Sequence, residues 1–211
     1  MFDRIVILGA GESVNKYIPR DNDLVIAPNY LYRKYKVDVI CITDLDPAQT
    51  LPDSVDAKVY IATPTYKKLD SPFEKWDSFT IIAGSGETEI ERLNSFWKNE
   101  IHLGFHGIDT NNTIPNICFP LAYYFGSLNK VFKVAIYGVD CGGKYLEGYP
   151  SQLAAPNRLH INKLISIRGL RELGFHVVDH SKQRKFRKLH PFSEERMCND
   201  PDASIKLVYK K

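Results

Sequence analysis

A glycine-containing turn near the start of the chain is the first group of residues with the chemistry to bind a ligand. Gly9, Gly11 and Ser13 follow a short β-branched run at residues 4–8. Where such a turn leads into a helix, the first backbone N–H groups have no intrahelical partner, and they suit a phosphate. The third glycine of the G-x-G-x-x-G pattern is absent, because Val14 stands in its place. The turn therefore predicts either a phosphate site or a tight turn capped by Ser13.

Two aspartates in a D-x-D arrangement have the chemistry to hold a metal ion. Asp44 and Asp46 come just after a predicted strand at residues 37–42. Paired carboxylates can share a divalent cation such as Mg²⁺, and the cation can neutralise a diphosphate. Aspartate is also a common turn residue, so the pair is equally consistent with one turn-capping and one solvated carboxylate. The residues leave both interpretations open.

A histidine follows an irregular stretch of the sequence. Residues 141–157 are rich in glycine, proline and tyrosine, which predicts a long loop, and Tyr145 and Tyr149 lie within it. His160 comes next, near the start of a helix predicted over residues 158–173. Histidine titrates near neutral pH, so it could act here as a general base once the loop closes. The alternative is a hydrogen-bonding residue at the helix start.

The elements that must position these groups form an alternating pattern. Helices are predicted over residues 87–98, 116–128 and 158–173. Short strand-like runs occupy residues 4–8, 24–27, 37–42, 57–62, 79–83, 131–137 and 175–178. The alternation predicts an α/β fold, a Rossmann-like doubly wound and mostly parallel sheet with helices on both faces. Ligands bind beyond the carboxyl ends of such strands. Asn29 and Asp140 each follow a predicted strand, so we expect them at the same edge as the glycine turn.

The composition is that of an ordinary globular protein. The 211 residues are 44% hydrophobic and 25% charged, which predicts one domain of usual size. We see no apolar run long enough to cross a bilayer and no signal peptide, so we expect a soluble, cytoplasmic protein. The four cysteines include no C-x-x-C pair and are expected to be free thiols. Cys41 and Cys118 lie in apolar runs and are expected in the core.

The positive charge is concentrated at the end of the chain. The formal net charge is +3, whereas residues 180–211 contain nine Lys or Arg against four Asp or Glu. We therefore predict a Rossmann-like nucleotide-binding domain over residues 1–179 and a basic C-terminal extension over 180–211. Basic residues interleaved with Phe186 suit a polyanionic acceptor such as a nucleic acid. A solvated, flexible tail is the alternative.

The ordered motifs are similar to those of the bacterial sialyltransferases of glycosyltransferase family 42. The resemblance is carried by V-I-L-G-A-G-E-S at 6–13, P-N-Y at 28–30, I-Y-G-V-D at 136–140, and then Tyr145, Tyr149 and His160. It implies a Rossmann-like fold, a CMP-sugar donor and transfer without a metal cofactor. It also implies that Asn29 contacts the donor, that Tyr145 and Tyr149 contact the departing phosphate, and that His160 is the base.

A second, fainter similarity concerns the T-D-L-D sequence at 43–46. It resembles a motif of the archaeal 6-hydroxymethyl-dihydropterin diphosphokinase-like family. That resemblance implies a Mg²⁺-dependent diphosphokinase acting on a pterin-like alcohol, with Asp44 and Asp46 as the metal ligands.

The leading hypothesis is a glycosyltransferase that moves a sugar from a nucleotide-sugar donor to an acceptor hydroxyl without a required cofactor. The diphosphokinase is the first alternative, and a non-catalytic nucleotide-binding module is the second. Under the leading hypothesis, the predicted catalytic residues are His160, Tyr145 and Tyr149. The predicted donor-binding residues are Gly9, Gly11, Ser13, Asn29 and Asp140.

Overall fold

The computed structural model describes residues 1–52, 54–62, 79–82, 113–140, 145–149 and 156–182. All seven predicted strands are present, each within two residues of its predicted bounds. They are β1 (Arg4–Leu8), β2 (Asp23–Pro28), β3 (Val39–Ile42), β4 (Lys58–Ala62), β5 (Phe79–Ile82), β6 (Lys133–Tyr137) and β7 (His176–Asp179). The short β-branched runs thus form strands, as their length and composition predict.

The strands form one sheet in the order β5-β4-β3-β2-β1-β6-β7. Each of the six neighbouring pairs is parallel. The chain builds the sheet outward from β1 to β5 and then returns to place β6 and β7 on the other side of β1. This confirms the predicted α/β Rossmann-like fold. The reversal of strand order lies between β1 and β6, which is where open α/β sheets bind their ligands.

The helical elements follow the strands they help to position. Two 3₁₀ helices, Glu12–Lys16 and Asn29–Arg33, follow β1 and β2, and the short helix α1 (Leu45–Gln49) follows β3. A π-helical turn, Ile114–Cys118, leads into α2 (Phe119–Asn129). The predicted helix over residues 87–98 lies outside the described residues. No helix in the described part of the chain is long and apolar enough to cross a membrane.

The helix α3 (Pro156–Glu172) begins earlier than predicted. The predicted loop over residues 141–157 is therefore wrong at its end, because Pro156 and Asn157 are helical. Proline suits the first position of a helix, where its missing N–H would have no partner. The end of the helix is as predicted, since Gly174 follows it with a φ of +87°.

Alternate residues of the central strands pack on the two faces of the sheet. Ile5 and Ile7 join the core on the face that α2 covers, whereas Val6 and Leu8 join the core on the opposite face. Both faces are apolar because the sheet is parallel and covered on both sides. Cys41 and Cys118 are buried free thiols in the first of these cores, as predicted; Cys141 and Cys198 lie outside the described residues.

Candidate functional site

The glycine turn after β1 packs directly against the end of β6. The N–H of Gly9 donates to the carbonyl of Tyr137 and the N–H of Gly11 donates to the carbonyl of Gly138, each with an N···O distance of 2.7 Å. A Cβ on Gly9 would lie 2.4 Å from the carbonyl oxygen of Gly138. Gly138 itself has a φ of +69°. The two backbones can approach this closely only because glycine stands on both sides.

The carboxylate of Asp140 occupies the space beside this turn. It accepts hydrogen bonds from the Ser13 N–H at 2.8 Å, from the Ser13 hydroxyl, and from the Lys182 N–H at 2.6 Å. A Cβ on Gly11 would lie 2.6 Å from an oxygen of the same carboxylate. Asp140 therefore already holds the Ser13 amide to which a phosphate is predicted to bind. The donor-binding role of Gly9, Gly11, Ser13 and Asp140 stays a prediction.

The first residues of the predicted C-terminal extension, 180–182, bind where the glycine turn meets the end of β6. The His180 N–H donates to the Ile136 carbonyl at 2.8 Å, and the Val139 N–H donates to the Ser181 hydroxyl oxygen at 3.0 Å. The Lys182 ammonium pairs with Glu12 at 2.6 Å. Residues 180–182 thus continue along the sheet from β7. The basic run that contains Phe186 lies outside the described residues.

The glycine turn also positions the predicted catalytic tyrosines. The Leu146 N–H donates to the Ala10 carbonyl at 2.7 Å, and Gly11 forms an antiparallel bridge with Tyr145. The rings of Tyr145 and Tyr149 lie 5.4 Å apart between centroids. Segment 145–149 therefore crosses the carboxyl edge of the sheet, bound to the turn that follows β1.

Asn29 lies at the end of β2, close to Tyr149 of this tyrosine segment. Its backbone has a φ of +49°, a left-handed conformation in which asparagine is enriched. Its Nδ2 donates to the Asp44 carboxylate at 2.9 Å. Its Oδ1 is buried and has no hydrogen-bond partner among the described residues. A buried acceptor without a partner is costly, so this atom marks a place where a ligand group would complete the structure.

Tyr149 lies close to Asn29 and is held in its neutral form. Burial raises the pKa of the Tyr149 phenol, and the nearby Tyr145 and Asp44 raise this pKa further, whereas a hydrogen bond that the amide N–H of Asn29 donates to the phenol oxygen opposes them. The ring also meets Tyr30 edge-on, at 5.8 Å between centroids. A phenol that keeps its proton can donate a hydrogen bond to an anionic ligand.

The two aspartates after β3 are exposed, and each accepts a hydrogen bond from a neutral group. Asp44 accepts from Asn29, and Asp46 accepts from the Tyr30 hydroxyl. Within the described residues, we find no cluster of three or more His, Cys, Asp or Glu side chains that could hold a metal ion. Mg²⁺ binding by Asp44 and Asp46 stays a prediction.

His160 lies in helix α3, and its side chain is outside the described set. Three residues later, the ammonium of Lys163 is 2.9 Å from the Asp179 carboxylate and 3.2 Å from the Val139 carbonyl oxygen. This buried contact fixes the helix against the ends of β6 and β7. The sequence signal for Lys163 is its helical spacing from Ile167 and Leu170, which places a charged residue in an apolar stripe.

Comparison with known proteins gives one similar structure that bears on the fold. No protein-family model matches the sequence, and no curated protein matches it. The structure is similar to that of the MAf glycosyltransferase from Magnetospirillum magneticum AMB-1, with a TM-score of 0.54 and 12% sequence identity. The similarity covers 99% of this chain, which spans 37% of the other. At this identity the likeness is one of fold: a Rossmann-like sheet of the kind present in a glycosyltransferase.

Proposed function

We propose that this protein is a glycosyltransferase that transfers a sugar from a nucleotide-sugar donor, of the CMP-sugar type, to an acceptor hydroxyl. The observation that carries the proposal is the unpartnered Oδ1 of Asn29, buried beside Tyr149 at the carboxyl edge of the sheet. Asn29 is the residue that the family 42 resemblance assigns to the donor. The fold similarity to a glycosyltransferase supports the same class of activity.

The proposed reaction is a displacement at the anomeric carbon of the donor sugar. The acceptor oxygen forms a bond to that carbon, and the bond from the carbon to the donor phosphate oxygen breaks. The electron pair of the broken bond leaves with the nucleotide. His160 takes the proton of the acceptor hydroxyl as general base.

Tyr145 and Tyr149 are proposed to stabilise the departing phosphate. A phosphate gains negative charge as the glycosidic bond breaks, so hydrogen-bond donors placed beside it lower the barrier. A tyrosine phenol keeps its proton at neutral pH, and burial raises the pKa of Tyr149 further, so this phenol can donate. The aromatic contact with Tyr145 holds the two rings together over the edge of the sheet.

A thermal-shift panel of CMP, UDP, GDP, ADP and ATP, with and without Mg²⁺, tests the donor site. At about a hundred times its Kd, a nucleotide should raise the melting midpoint by about 5–10 °C. We expect this shift with CMP, and we expect Asn29→Ala to lose it. Asn22→Ala is the matched control, because Asn22 lies at the other end of β2 and contacts Asp3. A panel without any shift contradicts the proposal.

Release of CMP from a CMP-sugar tests the activity and its metal dependence. The proposed transferase should release CMP at similar rates in Mg²⁺ and in EDTA. The Asp44→Asn/Asp46→Asn double variant should keep a measurable rate that does not respond to Mg²⁺. A strict Mg²⁺ requirement, with ATP as the bound nucleotide, instead supports the diphosphokinase.

A further inference from the structure

We propose that Asp44 is a positioning residue that turns the side-chain amide of Asn29, so that the Asn29 carbonyl oxygen faces a hydrogen-bond donor of the bound nucleotide. This inference rests on the proposed function. It gives the carboxylate after β3 a role other than metal binding. It also specifies which chemical group of the nucleotide can lie against Asn29.

The Asp44 carboxylate fixes the orientation of the Asn29 amide. A carboxylate only accepts hydrogen bonds, so the amide nitrogen of Asn29 must face Asp44, at the observed 2.9 Å. The opposite orientation would place the amide oxygen against the carboxylate and repel it. Asp44 therefore selects one of the two possible orientations, and Oδ1 is the atom that points away.

The Oδ1 of Asn29 is an acceptor and can bind only a hydrogen-bond donor. Asn29 is 9% exposed, and its Oδ1 is without a partner among the described residues. A phosphate oxygen is an acceptor and cannot satisfy another acceptor. The complementary group is an N–H or O–H donor, which a ribose hydroxyl or the amine of cytosine can supply. The phosphate then accepts a hydrogen bond from the neutral Tyr149 phenol, which lies beside the same amide.

A positioning role and a metal-binding role of Asp44 predict different effects when its carboxylate is removed. If Asp44 acts through Asn29, its removal matters only while Asn29 is present. If Asp44 instead holds a metal on the nucleotide, its removal weakens binding whether or not Asn29 is present, and the effect depends on Mg²⁺. Asp46 provides a matched comparison, because its carboxylate contacts Tyr30 and not Asn29.

A double-mutant cycle tests the inference, with the Kd of CMP measured by calorimetry both in Mg²⁺ and in EDTA. We expect Asp44→Ala to weaken CMP binding by about tenfold, as for a lost hydrogen bond. In the Asn29→Ala background, the same change should have no further effect. Asp44→Asn should recover part of the affinity, since an amide oxygen can still accept from Asn29.

A comparison of CMP with two other nucleotides identifies the hydrogen-bond donor that binds Asn29. UMP lacks the base amine and 2′-deoxy-CMP lacks one ribose hydroxyl. We expect one of them to bind less tightly than CMP to the parent, and we expect this difference to disappear in Asn29→Ala. Equal weakening by Asp44→Ala in both backgrounds overturns the positioning role while leaving the proposed function intact. A parent protein that binds none of these nucleotides overturns both.

Discussion

At the scale of single residues, the site is built from polar groups whose orientation a neighbour fixes. Asp44 holds the nitrogen side of the Asn29 amide, and Asp46 accepts from the Tyr30 hydroxyl. The Arg33 guanidinium lies over the Tyr30 ring, 4.6 Å from its centroid. Each fixed group loses little further conformational freedom when a ligand binds, which favours affinity.

His160→Ala is the substitution that tests the proposed base. A positioned general base typically contributes about 10²–10⁴ in rate, so turnover should fall by that order while the Kd of the donor changes only a few fold. Turnover and melting midpoint are measured on the same preparation. His176→Ala is the control, because His176 is exposed at the amino end of β7. Near-normal turnover with a lowered midpoint in His160→Ala would assign that residue a structural role instead.

The positions of the polar residues could be predicted, but their contacts could not. Asn29 and Asp140 follow strands, and parallel strands bring their carboxyl ends to one edge, so their shared location follows from the pattern. That Asp140 binds the Ser13 amide depends on a contact across 127 residues. The local sequence does not show whether a backbone N–H is free to bind a phosphate or already donates to a carboxylate.

Among the secondary-structure elements, the glycine turn after β1 makes contacts that hold three parts of the site together. It contacts the end of β6, the carboxylate of Asp140 and the tyrosine segment 145–149. Strands and long helices could be predicted because their apolar spacing is local. The 3₁₀ helix Asn29–Arg33 and the π-helical turn Ile114–Cys118 could not, since packing against the sheet and not periodicity determines these forms.

Gly11→Ala should destabilise the protein because the new Cβ meets Asp140. Overpacking of this kind costs about 1–3 kcal/mol, measured as the free energy of unfolding in urea. Asp140→Gly removes the carboxylate and the Cβ that the new methyl group meets. The cost of Gly11→Ala should therefore fall in the Asp140→Gly background. An unchanged cost there would show that the strain of Gly11→Ala lies elsewhere in the turn.

The buried ion pair between α3 and β7 should respond differently to single and double substitution. Lys163 and Asp179 have side chains 1% and 9% exposed. Lys163→Ala leaves a buried carboxylate unpaired and should cost about 3–5 kcal/mol in unfolding free energy. The double variant Lys163→Met/Asp179→Leu should recover most of that loss, because neither charge remains.

Arg168→Ala is the control for this pair, since its partner Glu172 lies on the same helix at the surface. The Arg168 and Glu172 side chains are 32% and 37% exposed, and a pair with this much solvent contact contributes at most about 1 kcal/mol. A Lys163→Ala variant that loses no more stability than Arg168→Ala would show that the buried pair does not anchor helix α3.

Tyrosines shielded from solvent make the stability of the folded protein depend on pH in the alkaline range. Tyr17 is buried among the apolar side chains on one face of the sheet, and its hydroxyl donates to Asp23 at 3.1 Å. Burial raises the pKa of Tyr17 above its ordinary value of 10, and the charge of Asp23 adds to the effect. Burial likewise raises the pKa of Tyr149. The folded protein therefore retains these protons at pH values where the unfolded chain has released them.

The resulting prediction is that stability falls as pH rises above about 10. Below that value both states hold the phenol protons, and the two tyrosines make no pH-dependent contribution. Above it, the unfolded chain binds fewer protons, so each such group lowers the unfolding free energy by about 1.4 kcal/mol per pH unit. Urea unfolding between pH 9 and 11.5 gives the slope of the unfolding free energy against pH. For Tyr17→Phe this slope should be less steep than for the parent, by about the amount that one proton contributes. Phe125→Leu, a core substitution without a titrating group, should shift the curve downward and keep the parent's slope. A Tyr17→Phe slope equal to that of the parent would mean that the folded protein does not hold the Tyr17 proton more tightly than the unfolded chain does.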